Sequence, residues 1–377
     1  MKRHICYVTG TRADYGLMRR TLLALRDHPS LSLSLLVTGA HLDPDHGKTV
    51  TEIVADGFEI SGRVETHCAN PTGASMAHSI ADMIHGFTER LAALKPDLLL
   101  LLGDRGEMLA GAIAAIHQNV PIIHIHGGER SGTVDEPIRH AISKLSHYHF
   151  VSTGQAAERL VKMGEKPDTV FTVGAPGLDG LTTEALHDRT QCASALGFDA
   201  DRPMALMVFH PVLQQQDSGR SDTAAIISSL LERQFQTLIL LPNADAGRNA
   251  ISEAIAAFSD HPDVRTVAHL ERPRFLSWMA NADLMIGNSS SGIIEAASFG
   301  TPVINVGSRQ NLRERNLNVC DVNATAPDLA RAIDWAITSQ RFPKTNVYGD
   351  GQTAGRVAEL ASTVALDATV LEKCCAY

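Results

Sequence analysis

The sequence predicts an α/β protein of two Rossmann-like, doubly wound domains facing each other across a cleft. Three observations carry this. Short β-rich apolar runs recur, most ending in Gly, Asp or a small polar residue and followed by a helical pattern. The rhythm breaks once, in a polar stretch near residue 185, and restarts. The length of 377 residues suits two or three domains. Parallel strands need a crossover that is usually a helix, so this alternation means βα units.

In the first half the runs are "HICYVTG", "LSLLVTG", "PDLLLLLGD", "PIIHIHGG", "YHFVST" and "TVFTVGAPG", six of them within residues 1–180. The polar, helical interval "LTTEALHDRTQCASALGFDADRP" follows. The second series is "MALMVFHP", "QTLILLPNAD", "VRTVAHL", "ADLMIGNSSSG", "TPVINVGS" and "NVCDV", a second sheet over roughly 185–350 with a terminal helix from about 353. The domains are read as 1–182 and 183–377, with packing of the terminal helix back onto the first as an option.

Composition narrows the function. With 44% hydrophobic, 20% charged and 5% aromatic residues, the chain is ordinary globular protein. A net charge of -9 speaks against nucleic-acid and anionic-membrane partners, which demand a broad positive face. Six scattered cysteines without a C-x-x-C pair suggest neither a disulfide framework nor a cysteine zinc site, and read as reduced thiols in a cytoplasm. The start "MKRHICYVTGTRADYG" lacks the pattern of a signal peptide, and "PDLLLLLGD" is too short to span a bilayer, so a soluble protein is expected.

Ligands of open parallel sheets sit beyond the carboxyl ends of the strands, which selects the residues to weigh. The first domain offers Arg12 and Asp14, His41, Asp104 with Arg105 and Glu107, and then the dense stretch "IIHIHGGERSGTVDEPIRH" with His124, His126, Glu129, Asp135, Glu136, Arg139 and His140. The second offers His210, Asn243 and Asp245, Asn288 to Glu295, and Arg309, Arg313 and Arg315.

Asp104 and Glu129 end neighbouring apolar runs, where carboxylates are shifted to serve as acid and base; the competing reading is that Asp104 caps a helix or pairs with Arg105 or Arg139. His124 and His126, and likewise His147 and His149, are spaced to share a strand face as in some metal sites, but no further ligand pattern accompanies them, so hydrogen-bonded histidines are favoured and no metal is expected. The turn Gly287-Asn288-Ser289-Ser290-Ser291-Gly292 before "IIEAASFG" is either an anion site at a helix start or a plain N-cap. "RQNLRER" after the next run is a set of diphosphate donors or a solvated helix, and the two features at one sheet edge together favour phosphate. Glu295, three residues after Gly292, either holds a ribose diol or complements the helix dipole. Walker A, Gly-x-Ser-x-Gly and Gly-x-Gly-x-x-Gly patterns do not occur where they would be needed.

In this order, "VTGTRADYG", "LLGDRGE", "IHIHGGE", "DEPIRHAISKLSHYHFVST", "VFHP", "PNADAG" and "GNSSSGIIEAASFGTPVINVGSRQ" resemble the hydrolysing UDP-N-acetylglucosamine 2-epimerases, which make N-acetylmannosamine for sialic acid synthesis and include the epimerase half of the animal bifunctional enzyme. The resemblance spans nearly the whole chain, and its motifs are specific together but not singly. Non-hydrolysing relatives carry Pro-Glu-Glu-x-x-Arg where this chain has "VDEPIRHAI", which favours the hydrolysing branch.

The resemblance implies a GT-B fold and elimination of UDP to a 2-acetamidoglucal, then hydration, with no metal or other cofactor. It implies Asp104, Glu129 and Asp135 as catalytic acids, supported by Arg105, His126, Glu136, Arg139 and His140; which acid takes the C2 proton stays open, and Glu136 is an alternative to Asp135. His210, Asn243, Ser289, Ser290, Ser291, Gly292, Glu295, Arg309 and Arg313 would hold the nucleotide, with Arg12 reaching the diphosphate from the other domain. The implied partners are a UDP-sugar and further copies of the chain, as a homodimer or homotetramer in the cytoplasm. UDP-N-acetylglucosamine is the first substrate reading and UDP-2,4-diacetamido-2,4,6-trideoxyglucose the second. A GT-B glycosyltransferase or a non-catalytic sugar-nucleotide sensor are the remaining alternatives.

Overall fold

The computed structural model describes every residue except 1, 44–48, 67–71, 132–134, 213–217, 243–246 and 377. The chain divides into two compact units, residues 1–129, 134–179 and 348–377 in one and residues 130–133 and 180–347 in the other.

The first unit is built on seven parallel strands, β1 (Arg3–Thr9), β2 (Leu31–Thr38), β3 (Ile60–Val64), β4 (Leu98–Leu102), β5 (Ile122–Ile125), β6 (Tyr148–Val151) and β7 (Val170–Thr172). Their order is β3-β2-β1-β4-β5-β6-β7, so winding reverses between β1 and β4. Helices cover both faces, which is why the central strands read as continuous apolar runs. Every residue of β4, "LLLLL", is buried. Leu98, Leu100 and Leu102 join the core around Ile5 and Tyr7, while Leu99 and Leu101 join that around Cys6 and Val8.

Six of these strands are the six runs of the first half. The seventh, β3, is the edge strand "ISGRV", with Gly62 and Arg63 in place of an apolar pattern.

The second unit carries six parallel strands, β8 (Met204–Val208), β9 (Gln236–Leu240), β10 (Val264–Val267), β11 (Leu284–Gly287), β12 (Val303–Val306) and β13 (Val319–Val322). They are ordered β10-β9-β8-β11-β12-β13, with the same reversal between β8 and β11. All six correspond to the runs of the second series. The unit ends at Val347 rather than at residue 377. The helix Thr353–Thr363 has an apolar face of Val357, Ala358 and Ala361, and this face is buried in the first unit's core. Among the described residues no helix is long and apolar enough to cross a membrane.

Candidate active site

In each unit the winding reversal leaves a place beyond the strand ends where loops diverge. In the first unit, Gly103 and Asp104 leave β4 there, and the turn Gly127-Gly128-Glu129 follows β5. Both glycines are required. A Cβ at Gly127 would stand 2.9 Å from His124 Nδ1 and 3.0 Å from Ser143 Oγ, and Gly128, at φ +72°, passes against the carbonyl of Ala156 in the helix Gly154–Lys162.

This compact turn buries Glu129, whose Oε1 accepts from Ser152 Oγ at 2.8 Å and lies 2.6 Å from His126 Nδ1. The helix Asp135–Leu145 opens with Asp135 and Glu136, and one turn on presents Arg139, the largest fully buried side chain of the protein. Arg139 donates from Nη1 to the carbonyl of Glu129 at 3.2 Å and pairs through Nη2 with the carboxylate of Asp104. One guanidinium thus ties two of the proposed acids to the helix that carries the third. Of the competing readings of Asp104, pairing with Arg139 holds; the N-cap of the helix Gly106–Ile116 is Arg105, which lies 3.3 Å from Glu107 instead.

Glu136 and His140 approach to 3.6 Å along the same helix, and His140 is pushed below the usual histidine range, chiefly by burial. Arg12 heads the helix Arg12–Asp27 and donates to Glu52 at 3.0 Å.

The histidine pairs are not two-residue strand ligands. β5 ends at Ile125, and His126 turns into the left-handed region at φ +63°, so His124 and His126 do not share a strand face. Both ring nitrogens of His124 are used, Nε2 with the carbonyl of Gly103 at 2.7 Å and Nδ1 with Ser143 Oγ at 3.0 Å; burial holds this ring neutral, with its pKa down at about 3. His147 Nδ1 accepts from the amide of Ile122 at 3.0 Å, and His149 Nε2 lies 2.9 Å from Glu165. Among the described residues no cluster of three His, Cys, Asp or Glu side chains is arranged to hold a metal.

In the second unit, buried Asn288 follows β11 and fastens three strand ends. Its Oδ1 accepts from the amide of His210 at 2.7 Å, its Nδ2 donates to the His210 carbonyl at 2.8 Å, and its own carbonyl takes Arg309 Nη1 and Gln310 Nε2, both at 3.1 Å. Beside it lies a shallow open hollow lined by Phe209, His210, Pro211, Asp222, Asn288 and Ser308, among others. Ser289 is the N-cap of the short helix Ser290–Ile294, with its Oγ 2.8 Å from Ser291 Oγ, and Gly292 lets that helix sit against Val303.

"RQNLRER" is not a solvated helix but an irregular turn around buried Gln310: Arg313 donates to its side chain at 2.7 Å and Arg315 to its carbonyl at 2.7 Å. Glu295 is not in the first turn of the five-residue helix Ser290–Ile294; it stands at that helix's C-cap and at the N-cap of the 3-10 turn Ala296–Phe299. It is buried and accepts from Arg272 Nη2 at 2.9 Å. Asn243 and Asp245 lie outside the described residues.

Sequence reasoning missed Ser152, Arg272 and Gln310. Ser152 was available to it, since it follows Val151 at the end of β6 in the run "YHFVST", beside β5. Arg272 and Gln310 sit in polar stretches whose partners are fixed only by folding.

Two doubly wound parallel domains of this kind define a GT-B-like protein by class. The family model described as UDP-N-acetylglucosamine 2-epimerase matches residues 23–362, and the chain belongs to the hydrolysing UDP-N-acetylglucosamine 2-epimerase family. It is 51% identical over 377 residues, all of both chains, to UDP-N,N'-diacetylbacillosamine 2-epimerase (hydrolyzing) of Legionella pneumophila. It is 32% identical over 370 residues to UDP-N-acetylglucosamine 2-epimerase of Neisseria meningitidis serogroup B, covering 97% of this chain and 95% of that one. The crystal structure of the Neisseria meningitidis UDP-GlcNAc 2-epimerase bound to UDP-GlcNAc superposes with a TM-score of 0.81 at 19% identity, over 95% of this chain and 99% of that chain.

Proposed function

We propose that this protein is the hydrolysing 2-epimerase for UDP-2,4-diacetamido-2,4,6-trideoxyglucose, the sugar nucleotide also called UDP-N,N'-diacetylbacillosamine, rather than for UDP-N-acetylglucosamine. One observation carries the choice of substrate: end-to-end identity of 51% to an enzyme named for that sugar, against 32% to one named for UDP-N-acetylglucosamine. The shared family chemistry gives the rest of the reading.

The C1–O bond breaks with its electron pair leaving on the UDP β-phosphate, and the C2 proton passes to a base, leaving a C1=C2 double bond. Water then adds through oxygen at C1 while a proton arrives at C2 on the opposite face. C2 carries no adjacent carbonyl, so positive charge develops at C1 before the proton leaves, and fixed anions stabilise it. We assign Asp104, Glu129 and Asp135 to these tasks. The Asp104–Arg139 pair and the two contacts on Glu129 Oε1 support the assignment, because they supply carboxylates whose direction is fixed before substrate arrives. His210, Asn243, Ser289, Ser290, Ser291, Gly292, Glu295, Arg309 and Arg313 are assigned to the nucleotide, with Arg12 assigned to the diphosphate. A cytoplasmic homo-oligomer belongs to the same reading, and light scattering of the purified protein checks the assembly.

The test is proton NMR in deuterated water with each of the two UDP-sugars. The expected result is UDP and a C2-deuterated mannose-configured diacetamido sugar, with kcat/KM at least about 100-fold above that for UDP-N-acetylglucosamine, the discrimination that the fit of a pocket to a substituent supplies. Faster turnover of UDP-N-acetylglucosamine would reverse the substrate assignment.

A further inference from the structure

Glu295 is buried in the second unit at the joint between the helix Ser290–Ile294 and the 3-10 turn Ala296–Phe299. Its backbone is pinned there, the amide donating to the Ser291 carbonyl at 2.8 Å and the carbonyl accepting from the Ser298 amide at 3.0 Å. Its carboxylate has one donor among the described residues: Arg272 Nη2 reaches Oε1 at 2.9 Å. No described residue donates to the other oxygen, Oε2, and that oxygen is not sealed from solvent as an orphaned buried atom such as His149 Nδ1 is. A buried carboxylate with one oxygen held and the other left open is half of a hydrogen-bonding site.

Arg272 is drawn to this place by the carboxylate and not by its own helix. It is the first residue of the helix Arg272–Asn281, where a cation works against the helix dipole, and that first turn contains no acidic residue to offset it. Glu184, the last residue of the helix Leu181–Glu184, brings a second carboxylate to 3.9 Å from Arg272 Nε. The guanidinium is therefore fixed from two sides, and its planar fork gives the bond to Oε1 a direction that an ammonium group supplies less well.

We propose that Arg272 is a positioning residue for the nucleotide: it holds Oε1 of Glu295 so that Oε2 meets the ribose diol, and it thereby sets the preference for a ribonucleotide. A carboxylate only accepts and a diol supplies two donors, so the open oxygen and the ribose are complementary. Arg272 acts through Glu295, whose direction is set before the nucleotide arrives. The inference rests on the assignment of Glu295 to the nucleotide.

Titration calorimetry with UDP and with 2′,3′-dideoxy-UDP tests it. The wild type is expected to bind UDP about 10- to 100-fold more tightly than the dideoxy analogue, the worth of hydrogen bonds to a charged group. Glu295→Ala supplies the ratio of a site with no carboxylate for the diol. Arg272→Leu is expected to fall most of the way to that ratio, and Arg272→Lys, which keeps a charged donor without the fork, to recover part of the preference. In turnover of the UDP-diacetamido sugar, Arg272→Leu is expected to raise KM about tenfold with kcat within about threefold, because the ribose is held equally in the ground and transition states.

A wild-type ratio in Arg272→Leu, with only Tm lowered, would overturn the proposal and leave the pair a purely structural one. If the wild type itself bound the two nucleotides equally, the assignment of Glu295 to the ribose would fail and take the proposal with it. Should Arg272→Leu not fold, the crystal structure of the wild type with UDP decides. Arg272 on Oε1 with the diol on Oε2 is the expected arrangement, and a guanidinium turned away from Glu295 onto the nucleotide would sink the idea.

Discussion

Asp14 shows how much a single side chain can matter to this fold. It closes a capping box at the head of the helix Arg12–Asp27, accepting from the amides of Gly10 at 3.0 Å and Thr11 at 2.8 Å and from the hydroxyl of Thr9, whose oxygen also meets His41 Nε2 at 2.9 Å. Burial pushes its carboxyl up to about 6, and those hydrogen bonds only partly oppose the rise. The folded state therefore holds this proton more tightly than the unfolded chain, so stability is gained as pH falls from about 6 towards 4 and lost as it rises through that window. A rise of two units corresponds to about 3 kcal/mol at most. Urea unfolding of Asp14→Asn beside the wild type should show the acid relatively more stable at pH 5 than at pH 7 by a good part of that figure. Equal differences at the two pH values would place the charge in a better-solvated setting than the structure gives it.

Among the elements, the turn after β5 carries Glu129, one of the proposed acids. Gly128 is where a small change should do most damage: alanine there would meet the carbonyl of Ala156 from a left-handed backbone, so the turn must shift away from the helix Gly154–Lys162. Gly128→Ala should cost about 1–3 kcal/mol from backbone strain and overpacking, and should lower kcat more than it lowers Tm suggests, because Glu129 moves with the turn. A melting curve and a kcat measured on the same preparation check this; wild-type kcat in a destabilised protein would detach Glu129 from the reaction. The strands around this turn were legible because both their faces are buried, which prints an unbroken apolar run such as "LLLLL". β3 was not, being an edge strand in which Gly62 is small for a packing reason: a Cβ there would come within 2.6 Å of Leu36. The places of Asp104 and Glu129 just after strand ends were legible for the same reason as the buried strands. The left-handed kink at His126 was not, since it sits in a turn packed closely against His124, Ser143 and Ala156, neighbours that only the fold brings there.

For the whole molecule, the notable feature is that the first unit is assembled from chain that comes before and after the second. The returning helix Thr353–Thr363 buries Val357 and Ala361 completely, and Asp179 accepts from the amide of Thr353 at 2.9 Å at its start. Beyond it, Tyr148 donates to the carbonyl of Ala365 at 2.8 Å, and Lys373 reaches buried Glu165 at 2.6 Å. Glu165 also accepts from Lys144 at 2.7 Å and lies 2.9 Å from His149. Burial raises this carboxyl, but these donors outweigh it and hold it down at about 2. The last thirty or so residues are thus a structural part of the first unit, and their loss removes several buried apolar side chains at about 1.5–3 kcal/mol each, against a total stability of about 5–15 kcal/mol. A chain ending at Val347 should therefore keep a cooperative calorimetric transition for residues 180–347 and lose the one belonging to the first unit, with its β1 and β2 amides exchanging rapidly with solvent. Retention of both transitions would mean that the sheet β3-β2-β1-β4-β5-β6-β7 supplies enough core by itself, and that the returning helix adds packing without being needed for folding.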